Sequence, residues 1–316
     1  MKFTERIMAL LELFKLKMTL HILITTVAGF YLASPMDLDW MRLLWTLLGT
    51  GLLATSAFCF NQAMEKDLDS VMERTQRRPV PTERVHLVTA YVAGVLTCIL
   101  GELLLWQKAN FMTAFIGVLT VGLYAGVYTP MKRLTTLNTL VGGIPGALPP
   151  LMGWTAAQNH IGLGGLLLFA VLFFWQLPHF LALAWMYRDD YHRGGFKMLS
   201  LVDASGATCF RQIMVQTVLL LAVSLFPYWY GLAGEVYLIT AVLSGLAMLW
   251  LAGMKPQQKI KVTRQALNFF NVSEDAYRDA LPRLEGAGLI KVWRAQGQRA
   301  QVEIVRTITP EGELDP

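Results

Sequence analysis

Eight apolar runs, near 18–34, 41–60, 85–105, 110–128, 138–156, 161–185, 212–230 and 236–254, commit most of this 316-residue chain to a bilayer. A hydrocarbon core of roughly 30 Å takes about 20 apolar residues per helix. Lipid offers no hydrogen-bond partner to an open backbone, so each run is expected as a helix. Composition agrees. Only 16% of the residues are charged, against about a quarter in soluble domains, and the mean hydropathy is +0.45. The fold expected is an all-α polytopic membrane protein, a bundle of about eight transmembrane helices around a central cavity. The first run lacks a small-residue cleavage site and follows an amphipathic stretch, so it reads as a span and not as a signal peptide. Cys59, Cys98 and Cys209 have no metal-ligand spacing and imply no disulfide framework.

Charge gives the orientation. Lys2, Arg6, Lys15, Lys17, then Lys66, Arg74, Arg77, Arg78, Arg84, then Lys132, Arg133, then Arg188, Arg193, Lys197 and Arg211 fall in alternate connections. The other side holds only Arg42 and Lys108. By the positive-inside rule both termini face the cytoplasm of a cell (inner or plasma) membrane. The formal charge of +5 is then mainly an orientation signal and says little about nucleic acid.

The composition changes after Met254, dividing the chain into a transmembrane domain at 1–254 and a soluble cytoplasmic α+β appendage at 255–316. Ser273 is placed to cap a helix to about Ala287, with Gly286 and Gly288 as stop signals. Alternation from Lys291 and from Gln301 predicts a hairpin. Together they resemble the end of a winged helix-turn-helix domain. Its recognition helix would carry Glu274, Asp275, Asp279 and Glu285 against Arg278 and Arg283. A phosphate backbone repels such a face, so DNA binding by the tail is not expected.

Two connections carry the chemistry. Asn61, Glu65 and Asp69 are four apart, so a helix continuing the second span sets them on one face. Aligned carboxylates repel unless a cation lies between them, and Mg²⁺ is held by one or two carboxylates plus substrate phosphates. Asp67 is a further metal-ligand candidate in the same stretch. Arg74 and Arg78 repeat the four-residue spacing, and guanidinium groups grip phosphate oxygens in bidentate fashion. A solvated helix laced by i,i+4 ion pairs of about 0.2–0.5 kcal/mol each is the alternative. The Asn at the membrane boundary weighs against it. In the second connection His179 lies inside the sixth span beside Pro178. An ionisable residue there suggests function, although a bond to a neighbouring carbonyl would also explain it. Asp189 and Asp190 offer a second metal position, ambiguous because adjacent helical residues do not share a face. Arg193 and Lys197 are further anion binders. Lys132 and Arg133 read equally well as substrate contacts and as a positive-inside flank.

These stretches resemble the haem O synthase (protohaem IX farnesyltransferase) family of membrane prenyltransferases. The matching phrases are Asn61 to Pro79, Tyr128 to Arg133, Asn138 to Trp154, Trp175 to Phe180, and Asp190 to Leu199, over about residues 10–254. The resemblance implies a helical bundle with a cavity opening toward the cytoplasm, Mg²⁺ as cofactor, and farnesyl diphosphate and protohaem IX as substrates. It implies a catalytic set of Asn61, Glu65, Asp69, Arg74 and Arg78, metal ligation by Glu65, Asp69, Asp67 and Asp190, and substrate contacts from His179, Lys132, Arg133, Asp190, Arg193, Lys197 and Trp175. His179 would order or ligate haem, and haem A synthase is an expected partner. Three departures stand out: Glu65 replaces the more usual Asp, Leu16 and Lys17 replace a Pro-Arg pair, and the appendage stands where members have a ninth span. A prenyltransferase acting on an aromatic quinone precursor and a non-catalytic haem sensor are the rival readings.

Overall fold

The computed structural model describes residues 3–34, 37–202 and 205–253, and the strand segments 260–261, 290–293 and 301–304. The elements run α1 (Phe3–Leu13), α2 (Leu16–Ala33), α3 (Trp40–Met64), α4 (Lys66–Ser70), α5 (Leu87–Leu104), α6 (Phe111–Val121), α7 (Thr129–Met131), α8 (Asn138–Gln158), α9 (Leu163–Met186), α10 (Arg188–Arg193), α11 (Ala207–Trp229) and α12 (Glu235–Gly253). Two π-helical stretches extend α5 over Leu105–Ala109 and join α6 to α7 over Gly122–Tyr128.

Every apolar run became a helix, but among the described residues six are long and apolar enough to cross a membrane: α2, α3, α5 with its extension, α6 through α7, α9 and α11. The expected count of eight is not reached on this measure. α8 falls short because three prolines (Pro145, Pro149, Pro150) and four glycines dilute its hydropathy. α12 enters that measure only over Glu235–Leu249, the stretch of it whose side chains are described.

α8 is the most enclosed of these helices, with Gly142, Gly143, Ala147, Leu148, Leu151, Met152 and Trp154 all buried. It meets α2 backbone to backbone. A Cβ on Gly29 would overlap the Pro150 carbonyl, and one on Gly153 would overlap that of Thr26. Small residues at such crossings permit the close van der Waals approach that drives helix association in lipid. Leu53, Leu105, Ala114, Ile116, Val121, Leu148, Leu151 and Met152 form the principal core. Large apolar side chains also cover the outside: Val88, Phe111 and Leu163 are each more than half exposed. That is the surface a bilayer requires.

One end of the bundle is tied by Asn110, whose Oδ1 accepts the Thr113 amide at 2.9 Å and whose Nδ2 donates to the Thr155 carbonyl at 2.7 Å. The opposite, polar end carries the connections after α3, α7 and α9. There α1 is fastened to α3 by Gln62 Nε2 donating to the Leu13 carbonyl at 2.7 Å, and to the connection after α4 by Arg84 and Glu12 at 2.7 Å. Ala9 and Leu13 share a small core with Cys59, Ala63, Val80, Val85 and Ala90.

The chain separates into two compact units, Met1–Leu249 and Trp250–Pro316. The second contains β1 (Ile260–Lys261), β2 (Ile290–Trp293) and β3 (Gln301–Ile304), an antiparallel sheet of order β1-β3-β2. Ile290 faces Ile304 and Trp293 faces Gln301, so β2 and β3 are paired as the alternation there predicts. The helix expected from Ser273 to Ala287 lies outside the described residues.

Candidate active site

The row Asn61, Glu65 and Asp69 survives a break in the helix. Glu65 takes φ −99° and ψ 11° and ends α3, yet the i to i−4 bonds continue: the Glu65 amide donates to Asn61 (3.0 Å) and the Asp69 amide to Glu65 (2.7 Å). All three side chains therefore stay on one face, and all three are buried. Asp67 does not join them. Two residues from each neighbour, it is turned to the exposed side of α4.

Each member has a polar partner outside its own helix. Asn61 Nδ2 donates to Thr129 Oγ1 at 3.4 Å, Lys132 Nζ to Glu65 Oε1 at 2.8 Å, and Arg78 Nη1 to Asp69 Oδ2 at 2.7 Å. The other Asp69 oxygen, Oδ1, is buried with no hydrogen-bond partner. An orphaned buried acceptor costs about 1–3 kcal/mol, more when charged, so it marks a place where another group belongs. Burial raises the Asp69 pKa, against the opposing pull of Arg78.

Lys132, at the end of α7, stands over the Tyr128 ring (4.6 Å) and near Phe196 (5.9 Å). Burial alone would lower its pKa, but Tyr128 and Glu65 hold it above the usual ammonium value. Its neighbour Arg133 is exposed. Of that pair only Lys132 reaches the acid row.

Arg74 and Arg78 part company. The segment after α4 is a succession of turns, with the Thr75 hydroxyl donating to the Asp69 carbonyl at 3.0 Å, so the four-residue spacing does not align them. Arg78 turns inward to Asp69. Arg74 stacks on Tyr187 (5.1 Å) and Tyr191 (5.9 Å) and lines a cleft of about 420 Å³ with Glu73, Met186, Tyr187, Asp190 and Arg193.

Asp190 is buried, whereas Asp189 is exposed. Its Oδ1 accepts the Glu73 amide at 3.0 Å and Arg193 Nη2 at 2.5 Å, and its Oδ2 accepts the Arg74 amide at 3.2 Å. Both oxygens are thus committed to pinning the turn that carries Arg74. Burial works to raise the Asp190 pKa, but the Arg193 bond and the two amides together hold it below the ordinary carboxylate value. Arg193 also pairs with Glu73 at 3.2 Å. Lys197 has an exposed side chain, and its contribution is backbone: its amide donates to the Lys132 carbonyl at 2.7 Å, and its carbonyl accepts Asn138 Nδ2 at 2.7 Å. Trp175 and His179 stack at 5.3 Å between centroids with 15° between planes. Both are exposed on one side of α9, apart from the acid row. Among the described residues no three His, Cys, Asp or Glu side chains gather as a metal-ligand set. Glu65 and Asp69 make the two-carboxylate arrangement that leaves the remaining positions of a cation to substrate and water.

In the sequence Lys15 reads only as a flanking charge. It occupies the joint between α1 and α2 with φ 47° and ψ 52°, and its Nζ lies 5.1 Å from the centre of the Phe58 ring. Burial, then the charges of Arg78 and Lys132, lower its pKa to about 7. Phe58 also lines an apolar cavity inside the bundle, together with Leu53, Tyr124, Pro145, Pro149 and Met152. Phe58 and Tyr124 meet edge to face at 6.2 Å. The Tyr124 carbonyl accepts the Thr129 hydroxyl at 2.9 Å, so cavity and polar row share a wall. Thr129, Tyr124, Phe58 and Lys15 are the site residues that reading the sequence missed.

A buried row of acids paired with cations, set against an apolar cavity in a membrane bundle, is an arrangement that suits an enzyme of the intramembrane prenyltransferase class. The model of the UbiA prenyltransferase family matches residues 22–273, and the chain belongs to that family. Within the family it is similar to proteins described as protoheme IX farnesyltransferase. That of Solibacter usitatus is 41% identical over 249 residues, covering 76% of this chain and 85% of the relative. That of Salinibacter ruber is 42% identical over 238 residues, covering 74% and 84%. A solved structure of digeranylgeranylglyceryl phosphate synthase shares the fold with a TM-score of 0.66 at 16% identity, covering 89% of this chain and 95% of that one. So does a UbiA homolog from Archaeoglobus fulgidus bound to GPP and Mg²⁺, with a TM-score of 0.65 at 13% identity, covering 83% and 94%.

Proposed function

We propose that this chain transfers a farnesyl group from farnesyl diphosphate to a vinyl group of protohaem IX, giving haem O. One observation carries the chemistry. Three cations, Lys15, Arg78 and Lys132, face two acids, Glu65 and Asp69, beside an apolar cavity. The surplus of positive charge suits the diphosphate, and the cavity suits the prenyl chain. The choice of protohaem as acceptor follows the relatives.

Magnesium fits these residues. Asp69 Oδ1 is a buried acceptor without a partner, and Glu65 follows one turn before it. When bound there, Mg²⁺ would neutralise the diphosphate and polarise it as a leaving group. Asp67, exposed, and Asp190, whose oxygens are committed, stand outside this ligand pair.

Arg78 and Lys132 orient the diphosphate and stabilise the charge it gains as the C1–O bond breaks, often the largest catalytic term. The electron pair leaves with the diphosphate. The allylic cation forms beside the faces of Phe58 and Tyr124, where water is excluded. The vinyl π electrons then form the new C–C bond, water adds to the resulting carbocation, and a proton is lost. The exposed Trp175–His179 stack gives haem a flat aromatic face and an imidazole at the flank of α9. On this reading α8 and α12 complete eight spans of the cell membrane and both termini are cytoplasmic. The product would pass to haem A synthase.

The test is product analysis of membranes containing this chain after incubation with protohaem, farnesyl diphosphate and Mg²⁺. Haem O is the expected product. Prenylation of an added aromatic acid in its place would assign a different acceptor, and no prenylated product at all would sink the proposal.

A further inference from the structure

We infer that Lys15 is a further catalytic residue, a leaving-group cation delivered to the diphosphate end of the site by the joint between α1 and α2. The inference rests on the diphosphate reading above and deepens it, giving a role at the leaving group to a residue that lies outside the acid row and outside the two connections that carry the rest of the site.

The first support is position. Lys15 Nζ lies over the Phe58 ring at 5.1 Å. Phe58 belongs to the cavity wall and precedes Asn61, the first member of the polar row, by less than one helical turn. The ammonium therefore stands where the apolar cavity meets the acids and cations. In a bound prenyl diphosphate this junction is the C1–O bond, the one that breaks.

The second is backbone conformation. At φ 47° Lys15 is one of three non-glycine residues with positive φ among the described residues. Such a conformation is uncommon for a lysine, and it persists only where the surroundings impose it. They do so here. Gln62 holds the Leu13 carbonyl, Thr19 Oγ1 donates to the Phe14 carbonyl at 3.3 Å, and Arg84 grips Glu12. Two of these fastenings come from α3 and from the connection that carries Arg78. The joint is thus fixed by the same elements that build the site.

The third is charge. Lys15 is half-buried and within electrostatic reach of Arg78, Lys132, Asp69 and Glu65. Arg78 and Lys132 are already paired with Asp69 and Glu65. Lys15 has no carboxylate of its own in that group. A third cation crowded against two others is unfavourable in the empty site and favourable once a polyanion arrives. Lys15 would donate to a diphosphate oxygen, and the bound polyanion would hold its proton in place. The C1–O electron pair goes to the diphosphate, and the ammonium stabilises the charge that collects there.

The test uses the purified full chain in detergent with Mg²⁺, reading binding of inorganic pyrophosphate by calorimetry beside steady-state turnover. Lys15→Asn removes the charge and keeps a residue that tolerates positive φ. Lys15→Met keeps the length of the side chain without its charge. Both are expected to bind pyrophosphate about 10- to 100-fold more weakly, the range for losing one hydrogen bond to a charged group, and to lose turnover by at least as much. Lys15→Arg should recover part of both, and Lys17→Met, at an exposed position of α2, should match the wild type. Unchanged pyrophosphate affinity and turnover in Lys15→Asn would overturn the inference. So would equal losses in the Asn, Met and Arg variants accompanied by a lowered melting temperature, which would make Lys15 a structural element of the joint. If the wild-type chain binds no pyrophosphate with Mg²⁺, the diphosphate reading itself fails and takes this one with it.

Discussion

Arg78 donates to one oxygen of Asp69 at 2.7 Å and leaves the other without a partner, although the Asp69 side chain is fully buried. The guanidinium therefore orients the carboxylate without satisfying it. Asp69→Asn keeps the shape and removes the anion. Because burial already favours the neutral form of Asp69, the variant should insert and melt close to the wild type. Turnover should fall by on the order of 100- to 1,000-fold, the loss typical when a preorganised electrostatic group is removed. Wild-type turnover at low Mg²⁺ would remove Asp69 from the metal site.

Arg78→Lys should be nearly as damaging as Arg78→Ala. An ammonium is a point donor and cannot hold Asp69 and a diphosphate together as the planar fork does. Steady-state rates of the two variants, measured side by side, check this. Full rescue by Lys would reduce Arg78 to a topology charge.

The Lys132–Glu65 pair separates stability from activity. Its side chains are 11% and 5% exposed, and removing one partner of a buried pair costs about 3–5 kcal/mol by stranding the other charge. Lys132→Met should lower the melting temperature sharply. Adding Glu65→Gln should restore much of the stability and none of the turnover. A double variant that stays as unstable as the single one would show that the pair is not the source of the loss.

Asp190 predicts a pH dependence. Its pKa in the folded chain is depressed by Arg193 and by the Glu73 and Arg74 amides, which overcome the effect of burial. A depressed carboxylate contributes stability fully above its unfolded pKa, about 3.9, and loses it as pH falls through the folded value. Asp190→Asn should therefore be less stable than wild type by about 1.5 kcal/mol at neutral pH, the lower end of the range for bonds to a charged acceptor. The difference should close in acid. A gap that widens below pH 4 would reverse the assignment. At neutral pH the variant should also show faster amide exchange at Glu73 and Arg74.

Much of this architecture could be read from periodicity. The apolar runs gave the helix positions because lipid leaves a spanning backbone no alternative. The four-residue spacing gave Asn61, Glu65 and Asp69 because the hydrogen bonds run on through the break at Glu65. The same spacing failed for Arg74 and Arg78, since turns replace helix after Ser70 and only Arg78 faces inward. Adjacent acids gave no phase, and burial alone separates Asp190 from Asp189. Lys15 was hidden for another reason. Its importance comes from a backbone conformation and from α1 folding against α3, and neither leaves a local pattern in the residues around it.

The π stretch at Gly122–Tyr128 has a consequence for how α6 aims its end. One residue more or less along an α-helix turns everything beyond it by about 100°. Lys132 meets Glu65 only in the phase that this stretch sets. Angular register, more than length, links the far face of the membrane to this cation. A single-residue deletion between 122 and 128 would leave the stretch from α6 through α7 long enough to span the bilayer, with Lys132 turned away from Glu65.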